Sequence, residues 1–151
     1  MITVTVKTAS LANLESVAAL FNQYRQFYEQ GSDLVLATEF IQQRMQNAES
    51  HILLAEDAQG NALGFCQLYP TFCSVEAKPI YSLYDLFVLP ECRGLGIGRA
   101  LLLNAEALAK RNGKSRMDLT TAKTNIKAQS LYESLGWGRD EIFYAYNKVI
   151  E

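Results

Sequence analysis

The chain has 151 residues, 49% of them apolar, with three prolines and a formal net charge of -2. This composition can fill one substantial core, so it predicts a single globular domain over residues 1–151 and excludes a disordered chain. The lack of a basic excess argues against binding to nucleic acid, and no apolar run is long enough to span a membrane. The first residues, MITVTVKTAS, lack a basic segment followed by a long apolar one, so we expect a cytoplasmic protein.

Alternation in ITVTVKTA predicts a first strand, and Ser10 can cap a helix whose apolar positions repeat every three or four residues up to Gly31. Thr38 can cap a second, shorter helix. HILLAE and ALGFCQLYPTF predict a hairpin joined by the turn DAQGN. A third central strand is predicted over about residues 80 to 89.

The second half of the chain alternates helix and strand. A helix with an apolar stripe ends at Gly113, RMDLTT predicts a short strand, and a further helix ends at Gly136. IFYAYNKVI predicts a last strand over residues 142–150. Hairpins in the first half and helical crossovers in the second predict an α/β fold, with a mixed sheet covered by helices.

The three cysteines, Cys66, Cys73 and Cys92, and the single histidine, His51, lack metal-ligand spacing. An odd number of cysteines without a recognisable pattern also gives no disulfide framework. We predict reduced thiols and no metal site.

The most informative stretch is LYDLFVLPECRGLGIGRALLL, in which a strand leads into a loop with Gly94, Gly96 and Gly98 and then into a helix. The first N–H groups of a helix lack internal acceptors, and glycines let a ligand approach the main chain closely. The pattern predicts a phosphate site, with Arg93 and Arg99 as further donors. A tight strand-to-helix turn with solvated arginines is the alternative interpretation.

Two common phosphate motifs do not explain these glycines. A P-loop requires Gly-Lys-Ser or Gly-Lys-Thr, which does not follow them. A dinucleotide fingerprint requires glycine or alanine where Arg99 or Leu101 stands. Asp118 has the spacing of a ribose-binding acid, but too little sequence follows the loop to complete a doubly wound sheet.

Residues 93–98, RGLGIG, resemble the signature of the Gcn5-related N-acetyltransferase (GNAT) superfamily: Arg or Gln, two residues, Gly, one residue, then Gly or Ala. The preceding Val88-Leu89-Pro90 and the later block NIKAQSLYESLGW, residues 125–137, are also similar to superfamily motifs. The resemblance implies a GNAT-like fold, with a central, mostly antiparallel sheet. That sheet would be splayed between its fourth and fifth strands and covered by helices on both faces.

The resemblance also implies acetyl-coenzyme A (acetyl-CoA) as the cofactor. The loop amides would hold its pyrophosphate, and the pantetheine arm would run beside the third central strand and pair with main-chain groups there. The residues implied in cofactor binding are Phe87, Val88, Leu89, Arg93, Gly94, Leu95, Gly96, Ile97, Gly98, Arg99, Asn125 and Tyr132.

Acetyl transfer from a thioester to an amine needs a base, an N–H donor and an acid. By resemblance, the donor is the amide of Val88 and the acid is Tyr132 in the motif LYE. A phenol with a pKa near 10 can protonate a departing thiolate. A tyrosine packed on an apolar helical stripe is the alternative interpretation of Tyr132.

The base is less clearly indicated, because relatives that acetylate polyamines carry Glu-Asp where this chain has Tyr84-Asp85. Asp85 is the candidate, either taking the proton through a water or orienting a cationic amine. A structural aspartate is the alternative. Strand alternation places Asp85 with Leu83 and Phe87, on the face opposite Tyr84.

Several aromatic residues and two acids predict a site for an aliphatic ammonium group. The candidate substrate-binding residues are Tyr24, Tyr28, Asp33, Tyr69, Tyr81 and Asp85. FCQLYPTFCSV and LYDLFV are similar to a branch of histone and polyamine acetyltransferases whose members often form dimers, which implies a homodimer. We expect a small primary amine as acceptor, with a peptide or protein amine, or a non-catalytic acetyl-CoA sensor, as the alternatives.

Overall fold

The computed structural model describes residues 2–151 and divides them into two compact units, one that ends at Leu119 and one that comprises Thr120–Glu151. The first unit contains the five strands and three α-helices, and the second contains α4 (Ile126–Ser134). A single acetyltransferase domain over the whole chain stays a prediction.

The first unit is built on a five-stranded sheet in the order β1-β2-β3-β4-β5. Its strands are β1 (Thr5–Thr8), β2 (His51–Glu56), β3 (Ala62–Cys73), β4 (Lys78–Val88) and β5 (Met117–Asp118). Neighbouring strands are antiparallel, except that β4 and β5 are parallel and pair only at Tyr81 and Ser82. The sheet therefore opens beyond Ser82 along β4. This mixed sheet, splayed between its fourth and fifth strands, confirms the predicted fold class.

Helices cover both faces of the sheet. On one face Phe65 of β3 belongs to a core cluster with α1 (Leu14–Phe27) and α2 (Leu34–Gln46). On the other face α3 (Ile97–Arg111) packs against β2, β3 and β4. Buried Tyr81 lies on this α3 face, where its hydroxyl accepts a hydrogen bond from Asn112 just beyond the helix (2.7 Å). The two faces follow from the alternation of apolar side chains along the strands.

Two helix starts differ from the sequence prediction: Ser10 precedes a 3-10 turn (Leu11–Asn13) that leads into α1, and α2 is capped by Asp33 and not by Thr38. The Asp33 carboxylate accepts a hydrogen bond from the Leu36 amide (3.0 Å), which satisfies one unpaired donor of the first turn. Thr38 lies inside the helix, and its hydroxyl donates to the Leu34 carbonyl (2.7 Å). The first turn of α2 contains the consecutive apolar residues Leu34, Val35 and Leu36, which are exposed. Consecutive apolar residues do not show the spacing of three or four that predicts a helix, so the sequence pattern missed this turn.

The last predicted strand is wrong. No strand pairing among residues 2–151 includes 142–150, and the apolar side chains of this segment are exposed. They are Ile142, Phe143, Tyr144, Tyr146, Val149 and Ile150. A high strand propensity does not form a strand unless a neighbouring strand accepts and donates the main-chain hydrogen bonds.

Within residues 2–151, no helix has both the length and the apolar character needed to cross a membrane. The three cysteines are free thiols, of which Cys66 is buried.

Candidate active site

The glycine loop connects the end of β4 to α3. Gly94 and Gly96 both have left-handed backbone conformations, with φ of 79° and 82°. A Cβ atom at either position would meet no other heavy atom within 4 Å. Glycine is therefore required here by the backbone conformation, since other residues rarely adopt it, and the space above the loop is open. Gly98 differs from these two because it lies in the first turn of α3.

A row of main-chain donors faces no acceptor in this loop. Among residues 2–151, no hydrogen bond is donated by the amides of residues 94–99. The first amide of α3 with an acceptor is that of Ala100, which donates to the Gly96 carbonyl (3.0 Å). Six consecutive N–H groups at and just before a helix N-terminus, beside open space at Gly94 and Gly96, are donors of the kind that suit an anion.

The Arg93 side chain connects this loop to β4 by a hydrogen bond to the main chain. Its Nε donates to the Val88 carbonyl (3.0 Å), and its guanidinium lies 5.6 Å and 5.7 Å from the ring centroids of Phe87 and Phe27. Arg99 is exposed and forms no ion pair within residues 2–151. The two arginines predicted to flank the phosphate therefore differ, since Arg93 is already bound to the main chain.

Phe87, Val88 and Leu89, the residues predicted to pair with pantetheine, do not all direct their amides to the same edge of β4. The Leu89 amide donates to the Leu63 carbonyl of β3 (2.9 Å), and alternation directs the Phe87 amide the same way. The amides of Leu86 and Val88 then point to the other edge, where β5 no longer pairs with β4. Among the three predicted residues, Val88 is the one with an amide toward the opening, and cofactor binding by Phe87, Val88 and Leu89 stays a prediction.

A β-bulge at Tyr84 sets the direction of Asp85. The adjacent residues Gln67 and Leu68 of β3 pair with Asp85 and Leu83, so Tyr84 is an extra residue in β4. Because Gln67 and Leu68 point to opposite faces, Asp85 and Leu83 also do, which corrects the predicted alternation. The bulge turns Asp85 to the face of α1 and α2, and Tyr84 is exposed.

Asp85 is a buried carboxyl group with hydrogen-bond donors but no cationic partner. Its side chain is 4% exposed. Burial raises the pKa of Asp85 from 3.8 to about 6, although hydrogen bonds from Gln67 and Tyr24 lower it. No ion pair within residues 2–151 includes Asp85. A carboxyl group with a pKa near 6 is ionised at neutral pH and takes up a proton readily, as a general base must.

Aromatic side chains surround this carboxylate on the α1 side. The one hydrogen of the Tyr24 hydroxyl is shared between the Tyr84 carbonyl (3.1 Å) and the Asp85 carboxylate, and burial and the nearby Asp85 both raise the pKa of Tyr24. The rings of Tyr24 and Tyr28 are 5.1 Å apart. The rings of Tyr69 and Tyr84 are 5.8 Å apart, and burial, together with Asp85, raises the pKa of Tyr69 to about 12. The structure thus brings Tyr24 and Tyr69 into the surroundings of Asp85, and Tyr28 packs against Tyr24.

Two other candidate substrate residues do not join this cluster. Tyr81 is 1% exposed, on the α3 face, with the Lys114 ammonium 4.8 Å from its ring centroid. Asp33 is used as the cap of α2, and its amide donates to the Asn22 side chain (2.9 Å). Tyr81 is therefore a core residue, and Asp33 has a structural role at the start of α2.

The second unit contains the two remaining candidates. The Asn125 side chain accepts a hydrogen bond from the Ala128 amide (3.4 Å) and caps α4. The Tyr132 ring lies 6.0 Å from the Trp137 ring, and the Tyr132 carbonyl accepts a hydrogen bond from the Trp137 amide (3.1 Å). Within this unit Asn125 therefore serves as a helix cap, and Tyr132 packs at the C-terminal end of α4.

Sequence reasoning missed three residues that shape the site. A Cβ at Gly64 would lie 2.7 Å from the Phe87 carbonyl oxygen, so Gly64 lets β3 approach β4 beside Val88. Gln67 donates to Asp85, and Ser50 donates to Gln67. A glycine inside a strand and a single amide within an apolar run are the signals that could have revealed Gly64 and Gln67.

The chain is similar to known acetyltransferases in sequence and in fold. Residues 14–137 match the model of the Acetyltransferase (GNAT) family. An uncharacterized N-acetyltransferase of Bacillus subtilis (strain 168) is 47% identical over 141 residues, which cover 93% of this chain and 94% of that protein. The crystal structure of a probable acetyltransferase is 36% identical, with a TM-score of 0.91 over 97% of this chain and 98% of that one.

A more distant structure shares the fold. An aminoglycoside N-acetyltransferase in complex with CoA has a TM-score of 0.82 and 20% identity, over 98% of this chain and 96% of that one. The family match covers most of the chain, and the Bacillus relative is aligned over nearly its whole length. The chain is an acyltransferase that belongs to the GNAT family of acetyltransferases.

Proposed function

We propose that this enzyme transfers the acetyl group of acetyl-CoA to a small primary amine by direct attack of the amine. The observation that carries the proposal is the buried Asp85 carboxylate, turned by the Tyr84 bulge into an aromatic cluster. It lies three residues before Val88, whose amide points to the open edge of β4. A proton acceptor and an N–H donor are thus positioned on one rigid strand, as acyl transfer requires.

The cofactor would be held by main-chain groups of the first unit. The amides of residues 94–99 suit its pyrophosphate, because they donate to no other acceptor and open space lies above Gly94 and Gly96. Ile97 would contribute its amide and not its side chain, which is buried, whereas the half-exposed Leu95 could offer both. Leu86 and Val88 offer a strand edge that suits the amide-bearing pantetheine arm.

When bound, acetyl-CoA supplies a thioester carbonyl that a neutral amine can attack and a thiolate that can leave. Asp85 accepts the proton of the ammonium group, directly or through one water. The Val88 amide donates a hydrogen bond to the carbonyl oxygen, where negative charge develops. Tyr132 holds a proton for the departing sulfur, a role implied by the LYE motif.

The acceptor site favours a cationic aliphatic amine. Tyr24, Tyr28 and Tyr69 offer ring faces near an ionised carboxylate, a combination that attracts an ammonium group on an alkyl chain. A peptide or protein amine is the second candidate, favoured by the exposed rings of Phe27 and Tyr28, which are 5.1 Å apart at the end of α1.

We also propose a homodimer and a cytoplasmic location, both implied by the family resemblance, with the exposed apolar segment 142–150 as support for the dimer.

The cofactor assignment is tested by a pair of glycine substitutions. Gly96 and Gly60 share a φ of 82° and open surroundings, but Gly60 lies in the β2–β3 turn. Gly96→Val and Gly60→Val should therefore strain the backbone to a similar extent. We expect calorimetric titration to show a loss of acetyl-CoA affinity of tenfold or more, on the order of 1.4 kcal/mol, in Gly96→Val and not in Gly60→Val. Equal affinities in the two folded variants would contradict the assignment.

A further inference from the structure

Gln67 and Asp85 are the buried polar side chains of residues 2–151, at 0% and 4% exposure. They are paired residues on β3 and β4, so their side chains lie next to each other on one face. Gln67 Nε2 donates to Asp85 Oδ2 (2.5 Å), and Gln67 Oε1 accepts from the Ser50 hydroxyl just before β2 (2.7 Å). These three side chains form one chain of hydrogen bonds that ends on the candidate base.

The titratable side chains that interact electrostatically with Asp85 are neutral: Tyr24 on α1, Tyr69 on β3, and Cys66, which lies on the opposite face of β3. Burial raises the pKa of each of them, so none is charged near pH 7. The charged groups nearest to them are Arg44 of α2 and Glu49, which act on Tyr69 and are paired with each other (3.1 Å). With no cation in contact, the hydrogen bonds from Gln67 and Tyr24 are what favours the ionised carboxylate against the effect of burial.

The orientation of the Gln67 amide decides its effect on Asp85. A carboxamide has an NH₂ group that donates and an oxygen that accepts. When Ser50 donates to Oε1, the NH₂ group faces the carboxylate. Without the Ser50 hydroxyl, a half-turn of the amide would place Oε1 against Asp85, and the repulsion between the two oxygens would favour protonation of the carboxyl group.

We propose that Gln67, oriented by Ser50, is a positioning residue that holds the Asp85 carboxylate ionised and directed toward the incoming ammonium group. The inference rests on the proposed function for the role of Asp85 as base. In that step an N–H bond of the ammonium breaks and an O–H bond forms on Asp85, directly or through a water. The nitrogen keeps the electron pair and forms a bond to the acetyl carbon, while the C–S bond of the thioester breaks and the sulfur leaves with that bond's electron pair. The departing thiolate is protonated as the new amide loses its second N–H proton, and the proton on Asp85 later leaves to solvent.

The test combines a titration that needs no acceptor with a kinetic profile. The Asp85 carboxyl is titrated by NMR in ¹³C-aspartate-labelled protein for the parent, Gln67→Leu, Ser50→Ala and the double variant. Asp85→Asn identifies its resonance. Leu68→Met, a buried substitution of similar volume on the other face of β3, is the matched control. The pH profile of kcat/KM is measured with 1,4-diaminobutane as the acceptor.

Removal of the Gln67 NH₂ group raises the proton affinity of Asp85. The acid limb of the kcat/KM profile therefore moves to higher pH. We expect a shift of about one pH unit or more in Gln67→Leu, with kcat/KM about fivefold to tenfold lower at pH 5–6 and near the parent value at pH 9. Ser50→Ala shifts in the same direction by less, and the double variant equals Gln67→Leu because Ser50 acts through Gln67. Leu68→Met shifts neither measurement.

An unchanged Asp85 titration in Gln67→Leu, or a loss of activity that is the same at every pH, would overturn the proposal. If Gln67→Leu does not fold, the titration of Asp85 in Ser50→Ala tests the proposal instead. This variant removes only one hydroxyl group beside Gln67 and Asp85 and should fold. Failure of the proposed function looks different. In that case Asp85→Asn retains parent turnover, while the Gln67 variants still show by NMR whether the amide controls the ionisation of Asp85.

Discussion

Replacement of Asp85 by asparagine should remove activity and, at the same time, stabilise the protein. The side chain is buried and ionised at neutral pH, without a cationic partner. Asparagine has nearly the same shape, and its amide oxygen can still accept the hydrogen bond from Gln67. The substitution thus removes the buried charge and the base together, while most of the packing is retained.

The size of the effect follows from the pKa of Asp85. Its folded value of about 6 lies about two pH units above the usual 3.8, which corresponds to roughly 3 kcal/mol. Because the folded pKa is raised, the folded state is disfavoured when the carboxyl ionises. This cost is absent below pH 3.8, appears as the pH rises to about 6, and is complete above it. We therefore expect Asp85→Asn to be more stable than the parent by up to about 3 kcal/mol at pH 8, and about equal to it near pH 3.8.

Chemical denaturation at pH 4 and pH 8 measures the free energy of unfolding, and calorimetric titration measures acetyl-CoA affinity. Glu106→Gln is the matched control, since it removes one carboxylate from the exposed side of α3. Turnover should fall by about 10²-fold in Asp85→Asn, the usual scale for the loss of a general base, with little change in cofactor affinity. A variant less stable than the parent at pH 8 would show that Asp85 is structural, and parent turnover would refute its role as base.

Three further predictions concern other parts of the molecule. Gly64→Ala should push the Phe87 carbonyl away, which lowers acetyl-CoA affinity and reduces the free energy of unfolding by about 1–3 kcal/mol. Calorimetry measures the affinity and melting measures the stability, and parent values for both would contradict this prediction. Tyr132→Phe should lower the single-turnover rate by about 10²-fold with little change in melting temperature, and a parent rate would mean that another group protonates the thiolate. Removal of residues 142–151 should convert a dimer to a monomer in light scattering, whereas an unchanged mass would place the interface elsewhere.

Local patterns predicted most of the fold. The β2–β3 hairpin, the loop of Gly94 and Gly96 and the end of α3 before Gly113 depend on short-range rules of turn chemistry and periodicity, and the structure has them where the sequence indicates. Residues 142–150 show where such rules fail. Their strand propensity is high, but a strand depends on a partner whose presence the segment itself does not encode.

The surroundings of Asp85 were less predictable because they depend on the register between β3 and β4. One extra residue at Tyr84 reverses the face of Asp85 relative to Leu83, and alternation along a single strand cannot reveal it. The contact of Gln67 with Asp85 likewise requires the pairing of β3 with β4. The family resemblance therefore identified Asp85 as a candidate, whereas its partners depend on the strand pairing.

The most direct test of the proposed chemistry is a coupled measurement of thiol release and acetylated product. Acetyl-CoA is offered with a panel of primary alkylamines, diamines, lysine-like amino acids and lysine-containing peptides. Free thiol is measured during the reaction, and the N-acetyl product is measured by mass spectrometry. We predict saturable, equimolar formation of both with at least one small primary amine, lost in Asp85→Asn. Saturable binding of acetyl-CoA without amine-dependent thiol release for any acceptor would contradict the account and favour a non-catalytic sensor.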